Sequence, residues 1–364
     1  MESVWSTTKR RSFISIDKIM KIKKIVFYIA VILMFVLLGF GYVWYRKTFL
    51  PNTRFDTEET YVYIPTNSNY NEVKLILTDY VDDIDSFDNL ASQMGYASEI
   101  FPGRFLLQKD MSNFQIYKAL RKNIPIRLVI NNQENLRQFA DYLSQELEPD
   151  ADEFIRAFTH QEFLDEYDFT TENVFTGFMP NTYEFYWNTT AVEVRNKIVR
   201  EYTKFWNEER LQQAQKIGLS PQEVMILASI VQKESAKVDE RPKVAGVYLN
   251  RLQKGMLLQA DPTVIYAKKL VTNDFDQIIK RVYYKDLTID SPYNTYRNFG
   301  LPPGPITMPD VSSINAVLNP EQHDYIYFCA NPDNPGYHAF AKTPQEHSRN
   351  KAKYVAWLEK NNVE

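Results

Sequence analysis

Residues Ile25 to Tyr45 read IVFYIAVILMFVLLGFGYVWY, 21 residues without a charge. A helix of that length crosses the hydrocarbon core of a bilayer. Lys9, Arg10, Arg11, Lys18, Lys21, Lys23 and Lys24 precede the run, and Arg46 and Lys47 follow it. The larger N-terminal cluster predicts a cytoplasmic tail over residues 1–24, with everything after residue 47 outside. Tyr42, Trp44 and Tyr45 suit the outer interface. The run is too long for a cleaved signal peptide, and no small-x-small site follows it. The expectation is a single-pass anchor over 25–45 in the cytoplasmic (inner) membrane. Cys329 is the single cysteine, so no disulfide can form within the chain. The extracytoplasmic part must draw its stability from a core.

The 364 residues suggest two or three domains. A net charge of −4 points away from nucleic acid as a partner. His160, His323, His338 and His347 show no ligand spacing, so neither a metal nor another cofactor is expected. The aromatics (24 Tyr, 23 Phe, 5 Trp) fit sugar binding and a β-rich core equally well.

Residues 46–58 are mostly polar and read as a tether. Tyr61–Ile64 alternates like a strand, 71–80 and 86–94 look helical, and 104–107 follows as a strand after the Pro102-Gly103 turn. Strand, helix, helix, strand is the element order of LysM-type glycan-binding modules. A small α+β spacer is the plain alternative. IPIRLVI, from Ile124, is a near-continuous apolar strand, and the boundary between a module over 59–130 and a larger α+β domain over 131–364 falls near Asn131. In the larger domain, helices are expected over 135–148 and 152–167, and one long helix over 191–215. Half of the 18 Pro residues lie between Pro292 and Pro344. The loops there flank an apolar strand, 325–330, and rigid loops around a short strand are a common way to build a cleft. A closing helix over 346–360 should turn Tyr354 and Trp357 inward.

One helix contains a misplaced residue. The stretch SPQEVMILASIVQKESAKVDERPKVAGVYLNRL begins at Ser220 with a start signal: a Ser N-cap, Pro next, and Glu223 three residues after the cap. Val224, Leu227, Ala228, Ile230 and Val231 share one face. Glu234 lies seven residues after Leu227, four after Ile230 and three after Val231, and so falls on that apolar face. Desolvation raises a carboxyl pKa there, and a carboxyl kept protonated near neutral pH is what a general acid needs. Spacing also allows a helix-end Glu outside the core, or one paired with Arg241 or Arg251. A second helix from about Pro242 to Leu252 is expected to be capped by Asp239, with Val244, Val247, Tyr248 and Leu252 inward. Asp261, before Pro262, fits an N-cap. In GFMPNTYEFYW, from Gly177, aromatics such as Tyr183 could stack on sugars and Asn181 could bind a hydroxyl. A strand packing its rings in the core is the alternative.

Together these residues resemble the endolytic murein (peptidoglycan) transglycosylases of the YceG-like family. The resemblance is carried by the N-terminal anchor, IPIRLVI, GFMPNTYEFY, LASIVQKESA from Leu227, VAGVYLNRL from Val244, LQADPTVIY from Leu258, YNTYRNFGLPPGPI from Tyr293 and YIYFCANPDNPGYHAF from Tyr325. It implies that Glu234 is the catalytic acid/base of a lytic transglycosylase acting on the bond between N-acetylmuramic acid and N-acetylglucosamine. The product is a 1,6-anhydromuramyl end. Family members often carry a second Glu where this chain has Gln232, which leaves Glu234 the only carboxylate between Glu223 and Asp239. Asn181 stands where Asp is usual, against any role needing a charge there. Ser235 replaces a common Thr. The motifs offer Gln259, Asp261, Asn294, Tyr296 and His338, with Asn181 and Tyr183, as substrate contacts. The implied partners are peptidoglycan glycan strands, the membrane and peptidoglycan synthases. Two other readings are a hydrolase of the same bond and a non-enzymatic, membrane-tethered glycan-binding protein.

Overall fold

A computed structural model describes residues 16–361. The basic cluster Lys9–Arg11 and residues 1–15 of the expected tail lie outside the described residues. Helix α1 (Ile16–Phe49) contains the apolar run and leaves it exposed, with none of its most apolar window buried.

The chain divides into two compact units, before and after Ile124. In the first, α1 is followed by β1 (Glu59–Ile64), α2 (Tyr70–Leu77), α3 (Ile84–Gln93), β2 (Gly103–Gln108) and α4 (Asn113–Ala119). β1 and β2 pair antiparallel, from Glu59 opposite Gln108 to Ile64 opposite Gly103. Alternation turns Val62, Ile64, Phe105 and Leu107 to one face, where they bury against Val73, Leu77 and Phe87. The expected element order is therefore present. The expected tether is not loose. Asn52 and Thr53 lie among residues that bridge to the module, Pro51 to Ser112 and Thr53 to Val81. The Asn52 amide donates to Asn113 Oδ1 at 2.6 Å, and the Asn113 amide donates to the Lys47 carbonyl at 2.7 Å. These polar side chains find protein partners instead of water, which orders the segment.

In the second unit, β3 (Ile126–Ile130) pairs antiparallel with β4 (Asn181–Phe185). IPIRLVI is apolar on one face because that face lies on this larger core, so the boundary falls before the strand and not near Asn131. Between the strands come α5 (Leu136–Glu146), α6 (Ala151–Phe158) and α7 (Gln161–Tyr167). The helix expected over 152–167 breaks at His160, whose backbone is extended. The helix expected over 191–215 is likewise two, α8 (Ala191–Phe205) and α9 (Glu208–Ile217). Trp206 leaves helical geometry with its side chain buried, and Asn207 caps the next helix by accepting from the Arg210 amide at 3.0 Å. Burying an indole and capping with Asn outweigh continuity of the helix.

Then follow α10 (Pro221–Glu234), α11 (Arg241–Gln253), α12 (Asp261–Thr272), α13 (Val311–Leu318), β5 (Tyr327–Ala330), β6 (His338–Ala341) and α14 (Pro344–Lys360). β5 and β6 form an antiparallel hairpin, and sequence patterning indicated neither β6 nor α13. α14 has no buried residue, and Tyr354 and Trp357 stack on each other, ring centres 6.3 Å apart, instead of entering the core. α10 is the opposite case. Every side chain from Val224 to Val231 is buried, Ser229 included. α9, α11, α12 and α13 surround it. The end of this central helix is where the candidate site lies.

Candidate active site

α10 starts as its sequence dictates. The Ser220 hydroxyl accepts from the Glu223 amide, and Glu223 accepts from the Ser220 amide at 2.7 Å. It ends at Glu234, and two neighbours fix that end. Arg241 Nε donates to the Ser235 carbonyl at 3.0 Å, and the Ser235 hydroxyl donates to Glu240 Oε2 at 3.1 Å. Gln232 is a structural residue. Its Oε1 accepts from the Asp310 amide at 2.6 Å, tying α10 to the start of α13.

Glu234 is half-buried, and its Oε1 accepts from the Tyr248 hydroxyl at 2.6 Å. Tyr248 projects from α11 and is 1% exposed. Glu234 is not paired with either arginine that spacing allowed. Arg241 pairs with Asp310 at 2.8 Å. Arg251 donates to the carbonyls of Ile326, Leu257 and Leu258. Burial pushes the Glu234 carboxyl up from 4.5 to about 7, and the charge of Asp261 pushes the same way. The Tyr248 hydrogen bond, Arg251 and the protonated form of His338 act in the opposite sense. Desolvation dominates, so the group is substantially protonated at neutral pH.

Asp261 is not an N-cap. Ala260 holds that position without a side-chain bond, and Asp261 is the first residue of α12. Its exposed carboxylate accepts from the Tyr296 hydroxyl at 2.6 Å. Burial and this carboxylate hold the Tyr296 phenol well above its usual range. The segments LQADPT and YNTY are stitched together. The Gln259 amide donates to the Thr295 carbonyl at 3.1 Å, and the Ala260 amide donates to Thr295 Oγ1 at 3.0 Å. Gln259 itself is exposed in left-handed backbone, φ +51°.

Asn294 does something other than touch substrate. It is fully buried; its amide donates to the carbonyls of Leu287 and Ile289, and its Oδ1 accepts from the Tyr296 amide at 3.0 Å. It shapes the loop that presents Tyr296. Asn181 and Tyr183 sit on β4. Asn181 is exposed and accepts from the Thr182 amide, whereas Tyr183 is buried in the core and stacks on Phe185. For Tyr183 the core reading of GFMPNTYEFYW is the one the structure has.

His338 opens β6. Its Nδ1 lies 2.7 Å from Glu240 Oε2, and its backbone amide donates to Glu240 Oε1 at 2.7 Å. The ring meets Phe328 edge-on at 5.0 Å, and Phe328 meets Tyr248 edge-on at 5.8 Å. Sequence reasoning missed the contacts of Tyr248 with Glu234 and of Glu240 with His338, and it misplaced Asp239. Asp239 accepts from the Tyr337 hydroxyl at 3.0 Å and does not cap α11. Tyr248 read as core because a phenol on an apolar face looks like any buried ring. Its one available signal was position: two successive helices each place a polar atom on the buried side. A cavity of about 400 Å³ borders Lys233, with Glu134, Lys269, Tyr266 and Phe275 in its wall. Glu134 lies between the two lysines, 2.7 Å from Lys233 and 2.6 Å from Lys269.

The model of the YceG-like family matches residues 62–353. An endolytic murein transglycosylase of Bacillus subtilis (strain 168) is 31% identical over 332 residues, covering 86% of this chain and 89% of that protein. A protein of the same description from Streptococcus pneumoniae (strain D39) is 36% identical over 138 residues, covering 38% of this chain and 24% of its own length. The crystal structure of a YceG-like protein from Listeria monocytogenes superposes with a TM-score of 0.51 at 30% identity, covering 81% of this chain and 99% of that one.

Proposed function

Because this chain belongs to the YceG-like family, we propose that it is an endolytic murein transglycosylase in which Glu234 is both the acid and the base. The observation that carries the assignment is the half-buried Glu234 carboxyl, raised to about 7 and held at 2.6 Å by the buried Tyr248 hydroxyl. Glycosidases that use water employ two carboxylates, one to protonate the leaving oxygen and one as nucleophile or base. A lytic transglycosylase manages with one. Glu234 gives its proton to the bridging oxygen as the bond from muramyl C1 breaks. The resulting carboxylate then takes the proton of the muramyl C6 hydroxyl as that oxygen bonds to C1. One C–O bond is lost, one is gained, and no water is consumed. The attacking hydroxyl is part of the same sugar, so proximity replaces an activated water. Tyr248 stabilises the carboxylate between the two steps, when Glu234 carries a charge. Asp261, with its partner Tyr296, places a negative group where an oxocarbenium-like transition state benefits from one.

The exposed apolar helix α1 supports a single-pass anchor, with the following units on the extracytoplasmic side. An anchored cutting site works on newly made strands near the membrane, beside the synthases that make them. The strand–helix–helix–strand order of the first unit supports a LysM-like, glycan-binding role, and the loops around β5 and β6 supply a cleft wall.

The test is product analysis. Wild-type protein with peptidoglycan should yield 1,6-anhydromuropeptides by mass spectrometry, and Glu234→Gln should yield none while keeping its fold. Reducing ends without anhydro sugar would replace the transglycosylase with a hydrolase. Undiminished anhydro product from Glu234→Gln would remove Glu234 from the reaction.

A further inference from the structure

Glu240 has no part in the proton transfers just described, yet it is 6% exposed and accepts three hydrogen bonds. Its donors come from two places in the chain. Ser235 Oγ, at 3.1 Å, belongs to the residue after Glu234. The backbone amide of His338 at 2.7 Å and its ring Nδ1 at 2.7 Å come from the start of β6. These bonds hold the Glu240 carboxyl below its usual range in spite of burial, so it is an acceptor only. Nδ1 facing it must therefore carry a hydrogen, because which imidazole nitrogen is protonated is set by the partner of the other. The clamp also fixes the ring plane, since one carboxylate grips both the backbone and the ring of a single residue. The rings of Phe328 and Phe340 close on the imidazole at 5.0 and 6.4 Å. His338 then has Nε2 alone to offer to anything else.

We infer that Glu240 is a positioning residue for the transglycosylase reaction: it locks His338 in one orientation and one tautomer, so that Nε2 is the nitrogen presented beside Glu234 to a donor on the bound glycan. Phe328 meets the His338 ring at 5.0 Å and the Tyr248 ring at 5.8 Å, and the Tyr248 hydroxyl bonds Glu234 at 2.6 Å, which connects His338 to Glu234. A sugar hydroxyl or N-acetyl N–H is the donor class that a neutral Nε2 accepts from. A merely structural Glu240 would tie Ser235 to β6 and have no need of a ring nitrogen. This inference rests on the assignment of Glu234, and its test separates the two.

The experiment uses the full chain in detergent micelles. In ¹⁵N spectra of histidine-labelled wild type recorded at alkaline pH, where the imidazole is neutral, His338 should show Nδ1 protonated and Nε2 unprotonated. Glu240→Gln keeps the shape and an acceptor, and should lose that fixed pattern. Release of cleaved glycan should fall about 10- to 100-fold in kcat for Glu240→Gln, by analogy with the loss seen when a carboxylate that orients a metal-bound His is removed, with KM nearly unchanged. His338→Asn should fall similarly, and the double variant should be no worse than His338→Asn alone. Multiplying losses in the double variant, or a wild-type His338 unprotonated at Nδ1, would overturn the inference. The spectra need no turnover, so they stand even if Glu234→Gln retains activity and the catalytic assignment falls.

Discussion

Glu234→Gln should stabilise the protein while inactivating it, and the gain should depend on pH. Burial lifts the carboxyl to about 7 from an ordinary 4.5. Between those values the native state holds more protons than the unfolded chain, so wild-type stability falls as pH rises through the window. Below the window both states are protonated, and Glu and Gln differ little. Above it, wild type keeps a partly desolvated carboxylate. At 1.36 kcal/mol per pKa unit the full difference is about 3 kcal/mol. Gln carries no charge and still offers an oxygen to the Tyr248 hydroxyl, now 2.6 Å from Oε1, so the variant escapes that cost. Urea unfolding of both proteins at intervals from pH 4 to pH 9 measures it. The midpoints should nearly coincide at the acid end, diverge between pH 5 and 7, and stay apart above. A gap that is constant across the range, or widest in acid, would refute the reasoning, because it would mean that Glu234 is not held protonated by burial.

Tyr248→Phe removes the hydrogen bond that favours the Glu234 carboxylate, so the alkaline limb of the pH–rate profile should move up by about one unit or more, a hydrogen bond to a charged group being worth roughly 1.5–3 kcal/mol; movement to lower pH would contradict the proposed balance. Gly304→Ala should destabilise the second unit by about 1–3 kcal/mol, since a Cβ there would stand 2.0 Å from the Glu172 carbonyl oxygen; a thermal melt checks it. Asn113→Ala should cost about 1–3 kcal/mol in the first unit by taking the shortest of the Asn52 amide's bonds and the side-chain donor to the Lys47 carbonyl, and hydrogen exchange over residues 48–58 should quicken.

How much the sequence reveals depends on the range of the interaction. The capping box at Ser220, the buried strand faces of β1 and β2, and the anchor-length apolar run are local patterns, and each is legible. The breaks at His160 and Trp206 are less so, because each pits helix periodicity against burial of one large side chain or an Asn cap. The tether misled for a related reason: Asn52 and Asn113 are polar, but they bond each other and not water. Within the site, Glu234 is legible as a carboxylate on an apolar face. Its partner is not, since Tyr248 lies on a different helix, and nothing in spacing distinguishes a phenol that donates to a carboxyl from one that only packs. Asn294 fails in the other direction. Its motif suggests a ligand contact, yet all of its hydrogen bonds are used within its own loop.

In the proposed reaction, separate segments that meet at one helix end exert opposed effects on Glu234. Burial alone would leave Glu234 an acid that never releases its proton. A fully solvated Glu would never hold one at neutral pH. Tyr248 from α11, Arg251 one turn on and, when its ring is protonated, His338 from β6 favour the charged form, while desolvation and Asp261 from α12 oppose it. An acid that must become a base within one reaction needs its pKa near the working pH, because both forms are then within reach. Losing one contributor on either side shifts that point. Loss of Asp261's charge should therefore lower the Glu234 pKa, whereas loss of Tyr248 raises it. Asp261→Asn and Tyr248→Phe should move the alkaline limb of activity in opposite directions, and the double variant should fall between them.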